Sequence, residues 1–559
     1  MLVSKKWLEE LIDLKVPMEE VISLLPLRTI GTKEITDKFI ELDMKGYNRA
    51  DLLSLRGVAL EIAAITDSEV KFKETTEYVW DKLNLPDAQA IVQDQDLCPV
   101  YCIAKIEGLK VGASSKEWTE KLESSGIRTV NNVADVTNLM MVEFGQPMHA
   151  FDIDQVEGQK LIVRRALPDE TIVTLDGKKR ELLHDDLVIA DHQKAVGLAG
   201  VMGGQNSEIT DSTTTILLEA AIFDAKALRK TAVRLGLQSE ASKRFQHGLT
   251  KKRLLEALDQ AIRMYQDLGG KLTALTLIGD LSDQPKKIIL EKAHIDSLIG
   301  IKLSEEQIIS YLEKLNFKLI PLGRDWEVEV PYFRLDIEIE ADVIEEIARM
   351  YGYETLPAKE LTGEDPEKID QTKFENIYIL KEALVKVGLT EVQLYSFYST
   401  PVINNLNIDR DSIIQIANPI SAETEYMQDN LWPNLLNCVA ENLKYFPQVG
   451  VFQVSKVYIP QDHEMPKEEY RLSLALSGEI DVIEQLYSIF KKVNQELNLG
   501  ISLGDTKMNN GEQRLFHPTK FFELIREGNR VGQIAEVHPR VVNKFGTEKR
   551  VAILEIELT

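Results

Sequence analysis

Cysteine is scarce in this sequence, whose 559 residues include only three, Cys98, Cys102 and Cys438. So few cannot build a disulfide framework for a chain of this size, and no second Cys or His pair follows the first two at the spacing of zinc ligands. We therefore expect buried thiols in a reducing compartment, which favours the cytoplasm.

Long apolar runs are missing as well. No stretch of about 18 apolar residues occurs, so no membrane span is predicted. The first ten residues mix charged and apolar side chains and lack the features of a signal peptide; they predict a helix start with Ser4 as its N-cap. With 44% apolar and 28% charged residues, the composition is that of a folded, soluble protein, and its length predicts roughly three to five domains.

Positive charge is in deficit. Lys and Arg number 65 against 90 Asp and Glu, which gives a formal net charge of −25. Because Lys and Arg make most contacts with phosphate groups, the chain is not expected to bind nucleic acid unaided. Such contact would need a local basic patch or a partner chain.

Common catalytic signatures are absent too. The sequence has no Gly-x-Ser-x-Gly elbow and no His-Glu-x-x-His motif, and its eight histidines are scattered. No nucleophile paired with a base can be identified from the sequence.

The succession of helical and strand-like segments predicts a multidomain α+β protein. Residues 1–90 read as an N-terminal helical or α+β domain, and 91–275 as an α+β module. Residues 286–358 have the size and element order of a small winged-helix-like domain, and 365–559 form a last unit of helices and strands.

Short runs with strand character are predicted at Tyr101–Ile106, Thr171–Leu175, Leu187–Ala190, Thr215–Leu218 and Glu391–Phe397. Asp176-Gly177 predicts a hairpin turn after the second of these. Two helices follow the fourth run, at about 225–235 and 251–268.

An acidic cluster is the first candidate site. Asp342, Glu345 and Glu346 are spaced to share one helix face, and Asp336 precedes them. Converging carboxylates would suit a hard cation such as Mg²⁺. Acids in a first helical turn also favour the helix dipole and solvate without any metal, and spacing alone favours that simpler interpretation.

A glycine-rich turn and two polar residues are the other candidates. The segment from Gly197 to Gly204 would let the backbone approach a ligand, but the segment by itself favours the simpler interpretation of a tight β-turn. His149 is most simply a structural hydrogen-bonding residue. Glu219 ends an apolar run, where a buried carboxylate is costly unless paired; it either accepts backbone hydrogen bonds or faces a polar ligand.

These motifs carry a family resemblance. The segments Val130–Asn138 (VNNVADVTN), Glu143–Asp152 (EFGQPMHAFD), Ala199–Gly204 (AGVMGG) and Leu218–Ala221 (LEAA) resemble, in order and spacing, the editing module of bacterial phenylalanine–tRNA ligase β subunits. Met1–Leu8, Asn48–Leu55, Arg334–Tyr353 and Asn418–Ser421 extend the resemblance over nearly the whole chain.

The resemblance implies an editing pocket at Thr137, His149, Ala199, Gly200 and Glu219. Such a pocket hydrolyses tyrosine wrongly attached to tRNA(Phe), and Glu219 would accept a hydrogen bond from the phenol. His149 and Thr137 would position water or the ester. No covalent intermediate is expected.

The acidic cluster gains a role in the same way. Resemblance implies that Asp336, Asp342, Glu345 and Glu346 hold a structural magnesium ion (Mg²⁺), and this interpretation now replaces the simpler one.

The resemblance also implies an assembly. This chain would scaffold an α subunit in an α₂β₂ heterotetramer, and ATP-dependent charging of tRNA(Phe) would take place on α. Residues 365–559 would keep the antiparallel sheet and helices of a class II synthetase without its activity. The family's inserted oligonucleotide-binding domain and its C-terminal anticodon-binding domain are expected to be absent, so direct tRNA contact should be weaker than usual. The alternatives are a free-standing aminoacyl-tRNA deacylase and a scaffold that does not edit.

Overall fold

The computed structural model describes residues 1–558 except 76, 283, 359, 361–368, 463 and 507. The chain divides into two compact units, Met1–Lys359 and Glu360–Thr559, and the predicted domain start at 365 lies outside the described residues. Both units combine helices with sheets, which confirms the predicted multidomain α+β class. No described helix is long and apolar enough to cross a membrane.

The first part of unit 1 has short strands around three helices. Its elements are β1 (Leu2–Ser4), α1 (Lys5–Leu11), β2 (Ile12–Asp13), α2 (Met18–Arg28), β3 (Thr32–Ile35), β4 (Phe39–Leu42), α3 (Leu55–Thr66) and β5 (Glu69–Val70). The Ser4 hydroxyl accepts a hydrogen bond from the Trp7 amide, so the predicted N-cap is confirmed.

The middle part of unit 1 holds most of its strands. Its elements are β6 (Ala90–Val92), β7 (Val100–Glu107), α4 (Lys116–Ser124), α5 (Asn132–Phe144), β8 (Met148–Asp152), β9 (Leu161–Arg165), β10 (Thr171–Val173), β11 (Lys179–Glu181), β12 (Leu187–Ala190), β13 (Ala195–Leu198), β14 (Met202–Gly203), β15 (Thr215–Ile222), α6 (Ala225–Arg234), α7 (Glu240–His247), α8 (Lys251–Asp267) and β16 (Lys271–Ile278).

These strands form two larger sheets and a two-stranded sheet of β10 and β11, and a hydrophobic core lies on each side of the first sheet described here. A four-stranded antiparallel sheet has the order β16-β7-β15-β8, and a five-stranded sheet has the order β14-β13-β12-β9-β6. The first core lies between the four-stranded sheet and the helices α1, α3, α5 and α8. The second core joins the opposite face of that sheet to the five-stranded sheet and to residues of α6 and α7. The candidate pocket lies on the second side.

The last part of unit 1 has three strands and three helices. Its elements are β17 (Lys287–Leu290), α9 (Lys292–Ile299), α10 (Glu305–Lys314), β18 (Lys318–Leu322), β19 (Asp325–Glu329) and α11 (Glu340–Tyr351). The strands form a sheet of order β17-β19-β18 over one core.

Unit 2 is built on a seven-stranded sheet of order β20-β23-β24-β28-β27-β26-β25. Its elements are α12 (Thr372–Lys386), β20 (Thr390–Glu391), β21 (Phe397–Tyr398), α13 (Thr400–Leu406), β22 (Tyr426–Met427), α14 (Trp432–Asn442), β23 (Gly450–Ile459), β24 (Lys467–Gly478), α15 (Val482–Glu496), β25 (Ile501–Leu503), α16 (Glu512–Leu515), β26 (Phe516–Arg526), β27 (Asn529–Val537), α17 (Pro539–Lys544) and β28 (Arg550–Glu557). Separate cores cover the two faces of this sheet.

Candidate functional site

Glu219 lies in the middle of β15 and points into the second core. Successive side chains of a strand alternate between its two faces, and Leu218 and Ala220 belong to the first core. Leu217 and Ala221 belong to the second core, so Glu219 shares their face. The residue is 7% exposed, so its carboxyl is deep enough to require a partner.

That partner is a phenol. The Tyr101 hydroxyl donates a hydrogen bond of 2.8 Å to Oε2 of Glu219. Within the described part of the chain, Oε2 alone of this carboxyl has a hydrogen-bond partner. Burial raises the pKa of Glu219 to about 7, although the bond from Tyr101 opposes the rise. The carboxyl therefore changes protonation state near neutral pH, and its Oε1 is left for a further hydrogen bond.

His149 lies directly opposite Glu219 on the neighbouring strand β8, and both side chains project from the same face of the sheet. Its ring packs edge-on against Phe151 with centroids 4.5 Å apart. Burial lowers the pKa of His149 to about 4, so the imidazole is neutral at neutral pH. Its Nε2 is buried and has no hydrogen-bond partner among the described residues.

The glycine-rich turn connects β13 to β14 and closes over this pair. Gly200 has a φ of +65°, and a Cβ there would meet Phe223 and Phe245, so both conformation and space favour glycine. A Cβ on Gly203 would lie 2.5 Å from Cε1 of His149. The backbone of the turn is therefore in close contact with the imidazole.

These residues line one pocket of about 80 Å³. Of the five residues predicted for it, His149, Ala199, Gly200 and Glu219 are in its lining. Thr137 is not: it lies on α5, and its hydroxyl donates to the carbonyl of Ala134 at 2.7 Å. The structure thus brings together four of the five predicted pocket residues.

Three further residues of the site were not identified from the sequence: Tyr101, which binds Glu219 from outside the lining, and two residues that line the pocket. The contact of Tyr101 could be found only from the strand pairing. Glu219 lies opposite Ile103 of β7, and Tyr101 lies two residues before Ile103 on the same face. Phe245 and Ala241 come from α7, a helix absent from the sequence prediction. Ser239 caps α7 in a capping box whose second member is Ser242 rather than Glu or Gln, which removes the usual sequence signal.

The acidic cluster has a different environment from the one a magnesium ion needs. The guanidinium of Arg334 binds both oxygens of Asp336, at 2.9 and 2.7 Å. Glu346 is paired with Arg334 and with Arg349. Burial opposes ionisation of Glu346, yet the two arginines outweigh it and hold the pKa of this carboxyl below its usual range.

The remaining two acids point elsewhere. Oδ2 of Asp342 accepts the amides of Glu338 and Ile339 at 2.7 and 2.9 Å, which caps the start of α11, and Glu345 is exposed. Among the described residues there is no group of three or more His, Cys, Asp or Glu side chains that could hold a metal. Asp336, Asp342, Glu345 and Glu346 as arranged do not fit the Mg²⁺ site that the resemblance implies, because arginines neutralise two of them and the helix start engages a third.

Family models match three consecutive regions of the chain. The B3/4 domain matches residues 97–270, which contain the pocket. The tRNA synthetase B5 domain matches 288–353, and the phenylalanyl tRNA synthetase beta chain CLM domain matches 354–558.

Curated relatives match along nearly the whole chain. The phenylalanine–tRNA ligase beta subunit of Geobacter metallireducens is 33% identical and covers 91% of this chain and 66% of that protein. The beta subunit of Carboxydothermus hydrogenoformans is 33% identical, and the match covers 95% of this chain and 69% of that protein. The beta subunit of Streptococcus thermophilus is 32% identical, and the match covers 94% of this chain and 67% of that protein.

This chain spans about two thirds of the length of these relatives. A solved N-terminal fragment of the phenylalanyl-tRNA synthetase beta-subunit from Pyrococcus horikoshii covers 63% of this chain and 99% of that one, at 18% identity and a TM-score of 0.37, which is too low to support an inference. The identity to the curated relatives, over two thirds of their length, shows that the chain belongs to the family of phenylalanine–tRNA ligase beta subunits.

Proposed function

We propose that this chain serves as the β subunit of a phenylalanine–tRNA ligase and that its pocket hydrolyses tyrosine wrongly attached to tRNA(Phe). One observation supports the editing role above the others. The buried carboxyl of Glu219 lines the same pocket as His149 and Gly200 and keeps one oxygen for a ligand.

Selectivity follows from that oxygen. Once ionised, Glu219 accepts a hydrogen bond from the para-hydroxyl of a tyrosyl group. A phenylalanyl group would bury the same carboxylate without that bond, at a cost of about 1–3 kcal/mol. The pocket is thus a second sieve for an error that the first selection of phenylalanine lets through.

Hydrolysis needs no protein nucleophile. A water molecule attacks the ester carbonyl, and the bond to the ribose oxygen breaks to release tyrosine and free tRNA. Neutral His149, with its unpartnered Nε2, accepts a proton from water or orients the ester by a hydrogen bond. Thr137, whose hydroxyl is engaged with its own helix, is assigned no part in this step.

The assembly belongs to the same proposal. The chain scaffolds an α subunit in an α₂β₂ heterotetramer, in which α carries ATP-dependent charging. Residues 365–559 supply the α-binding, catalytic-like domain, and 286–358 a winged-helix-like domain. With a net charge of −25, direct contact with tRNA(Phe) is weaker than usual for the family.

The experiment pairs co-expression with a hydrolysis assay. The chain is co-expressed with the α subunit of its own genome, and the purified product is given Tyr-tRNA(Phe) and Phe-tRNA(Phe). We expect a stoichiometric complex that hydrolyses the tyrosyl ester faster. Glu219→Ala should abolish the preference, whereas Glu208→Ala, at an exposed position of the same module, should keep it.

Other outcomes point to the alternatives. A complex that leaves Tyr-tRNA(Phe) intact indicates a scaffold that does not edit. A chain that does not bind α yet hydrolyses the ester indicates a free-standing deacylase.

A further inference from the structure

A second pocket, of about 210 Å³, lies in unit 1 and is separate from the one described above. Its lining includes the charged or polar side chains of Arg56, Lys73, Glu74, Arg253, Glu256 and Tyr332. None of them lines the pocket of Glu219 and His149.

Arg253 is the unusual member. It is 7% exposed, yet within the described chain its guanidinium forms no hydrogen bond and no ion pair. The other buried arginines of the described chain, Arg49, Arg244, Arg334 and Arg349, all bind carboxylates. An unpaired buried charge is costly, so a negatively charged partner at Arg253 would be stabilising.

The acids at the pocket are already engaged. Glu74 pairs with Lys252, which lies outside the lining. Glu256 accepts the amide of Thr75 at 3.2 Å and the hydroxyl of Tyr332 at 3.5 Å. Neither acid forms an ion pair with Arg253.

The cations are only partly engaged. Arg56 binds Glu143 at 2.9 Å and lies over the ring of Phe144, 3.8 Å from its centroid. Lys73 has no ion-pair partner in the part of the chain that the structure describes. Lys73 and Arg253 therefore both lack a direct ion-pair partner at one cavity, and the carboxylates of Asp51 and Glu256 act on Arg253 without touching it.

We propose that this cavity is an anion site in which Arg253 binds the phosphate group of a small phosphate ester or a free phosphate ion. The planar guanidinium presents paired N–H donors that match phosphate oxygens. Lys73 adds a second charge at the rim. Burial lowers the pKa of Arg253, and a bound dianion would reverse that shift.

The test measures thermal unfolding of the full chain in phosphate-free buffer, then with inorganic phosphate, adenosine monophosphate, or potassium chloride at matched ionic strength. Wild type should gain about 2 °C or more once the phosphate group exceeds its Kd several-fold. Potassium chloride should give no such gain. A response to the ion alone identifies free phosphate as the occupant, and a larger response to the nucleotide identifies an ester.

Arg253→Met separates binding from structure. Removing an unpaired buried charge should leave the melting temperature in phosphate-free buffer unchanged or higher, while the response to phosphate disappears. Arg263→Met, on the same helix but half exposed and paired with Asp259, should respond like wild type. Arg253→Lys keeps the charge but lacks the paired N–H donors of the guanidinium, so it should respond only weakly to phosphate. This variant replaces Arg253→Met in the test if the Met variant does not fold.

Two results would overturn the proposal. One is a wild-type response no larger than that to potassium chloride. The other is an Arg253 variant that responds to phosphate as fully as wild type.

Discussion

The hydroxyl of Tyr101 donates to Oε2 of Glu219 at 2.8 Å, and both side chains are buried. A donor to a carboxylate favours its ionised form, whereas burial favours the neutral form. Burial prevails and sets the pKa of Glu219 at about 7. How far the carboxyl of Glu219 is ionised at neutral pH therefore depends on the bond from Tyr101.

Replacing that donor should change selectivity and its dependence on pH. In Tyr101→Phe the pKa of Glu219 rises further, so at about pH 7 the carboxyl is mostly neutral and is a weaker, uncharged acceptor. We expect the preference for Tyr-tRNA(Phe) over Phe-tRNA(Phe) to fall roughly tenfold and to recover partly at higher pH. The measurement is the ratio of the two hydrolysis rates across pH.

A matched control is available in Tyr265→Phe. Tyr265 is also buried and donates to the carbonyl of Val133 at 2.9 Å, but it belongs to the first core. It should lose stability without any change in the pH profile. Equal profiles for wild type and Tyr101→Phe, with wild type still active, would contradict the role given to Tyr101 and leave editing itself intact.

Glu219 should also make the stability of unit 1 depend on pH. Its pKa rises from 4.5 unfolded to about 7 folded, so its stabilising contribution is full below about pH 4.5 and is lost as the pH rises through 7. Wild type should lose up to about 3 kcal/mol between these limits relative to Glu219→Gln.

Comparing the two proteins removes the opposite contribution of His149, which both retain. Its pKa falls from 6.5 to about 4, so that contribution is present above about pH 6.5 and is lost as the pH falls through 4. Urea unfolding of both proteins at about pH 5 and pH 8 gives the difference. If the free energies of unfolding of wild type and Glu219→Gln differ by the same amount at both pH values, Glu219 ionises in the folded protein as it does in water.

The local elements around the pocket were largely predictable. The predicted strands at Tyr101, Leu187 and Thr215 correspond to β7, β12 and β15, and the Asp176-Gly177 hairpin joins β10 to β11. Each is encoded by neighbouring residues, through apolar alternation and turn chemistry. In unit 2, the prediction of one strand over Glu391–Phe397 was wrong, because β20 ends at Glu391 and β21 begins at Phe397.

What depends on distant residues was not predictable without the family resemblance. The alignment of Glu219 with His149 is set by strand register, which no local pattern encodes. The carboxylates of the acidic cluster meet arginines rather than one another, and one of these, Arg349, also binds Glu61 from far along the chain. Spacing placed three acids near one helix turn but gave no sign of the cations beside them.

Gly203 should be needed because of its contact with His149. A Cβ there would lie 2.5 Å from Cε1 and 2.8 Å from Nε2 of the imidazole, so Gly203→Ala forces the ring to move. We expect hydrolysis of Tyr-tRNA(Phe) to fall on the order of tenfold to a hundredfold. Gly112→Ala, where a Cβ meets nothing within 4 Å, is the control. Unchanged hydrolysis in Gly203→Ala would mean that the position of His149 does not matter.

Arginines rather than a metal ion should stabilise the acidic cluster. Arg334 lies buried between Asp336 and Glu346, and removing one member of a buried charge pair costs about 3–5 kcal/mol. Arg334→Met should therefore destabilise unit 1 by about that amount, whereas Arg324→Met, at an exposed position of the same region, should have little effect. Chelation with EDTA, or addition of Mg²⁺, should leave the melting temperature of wild type unchanged. A clear loss of stability on chelation, restored by Mg²⁺, would instead require the four acids to rearrange around an ion.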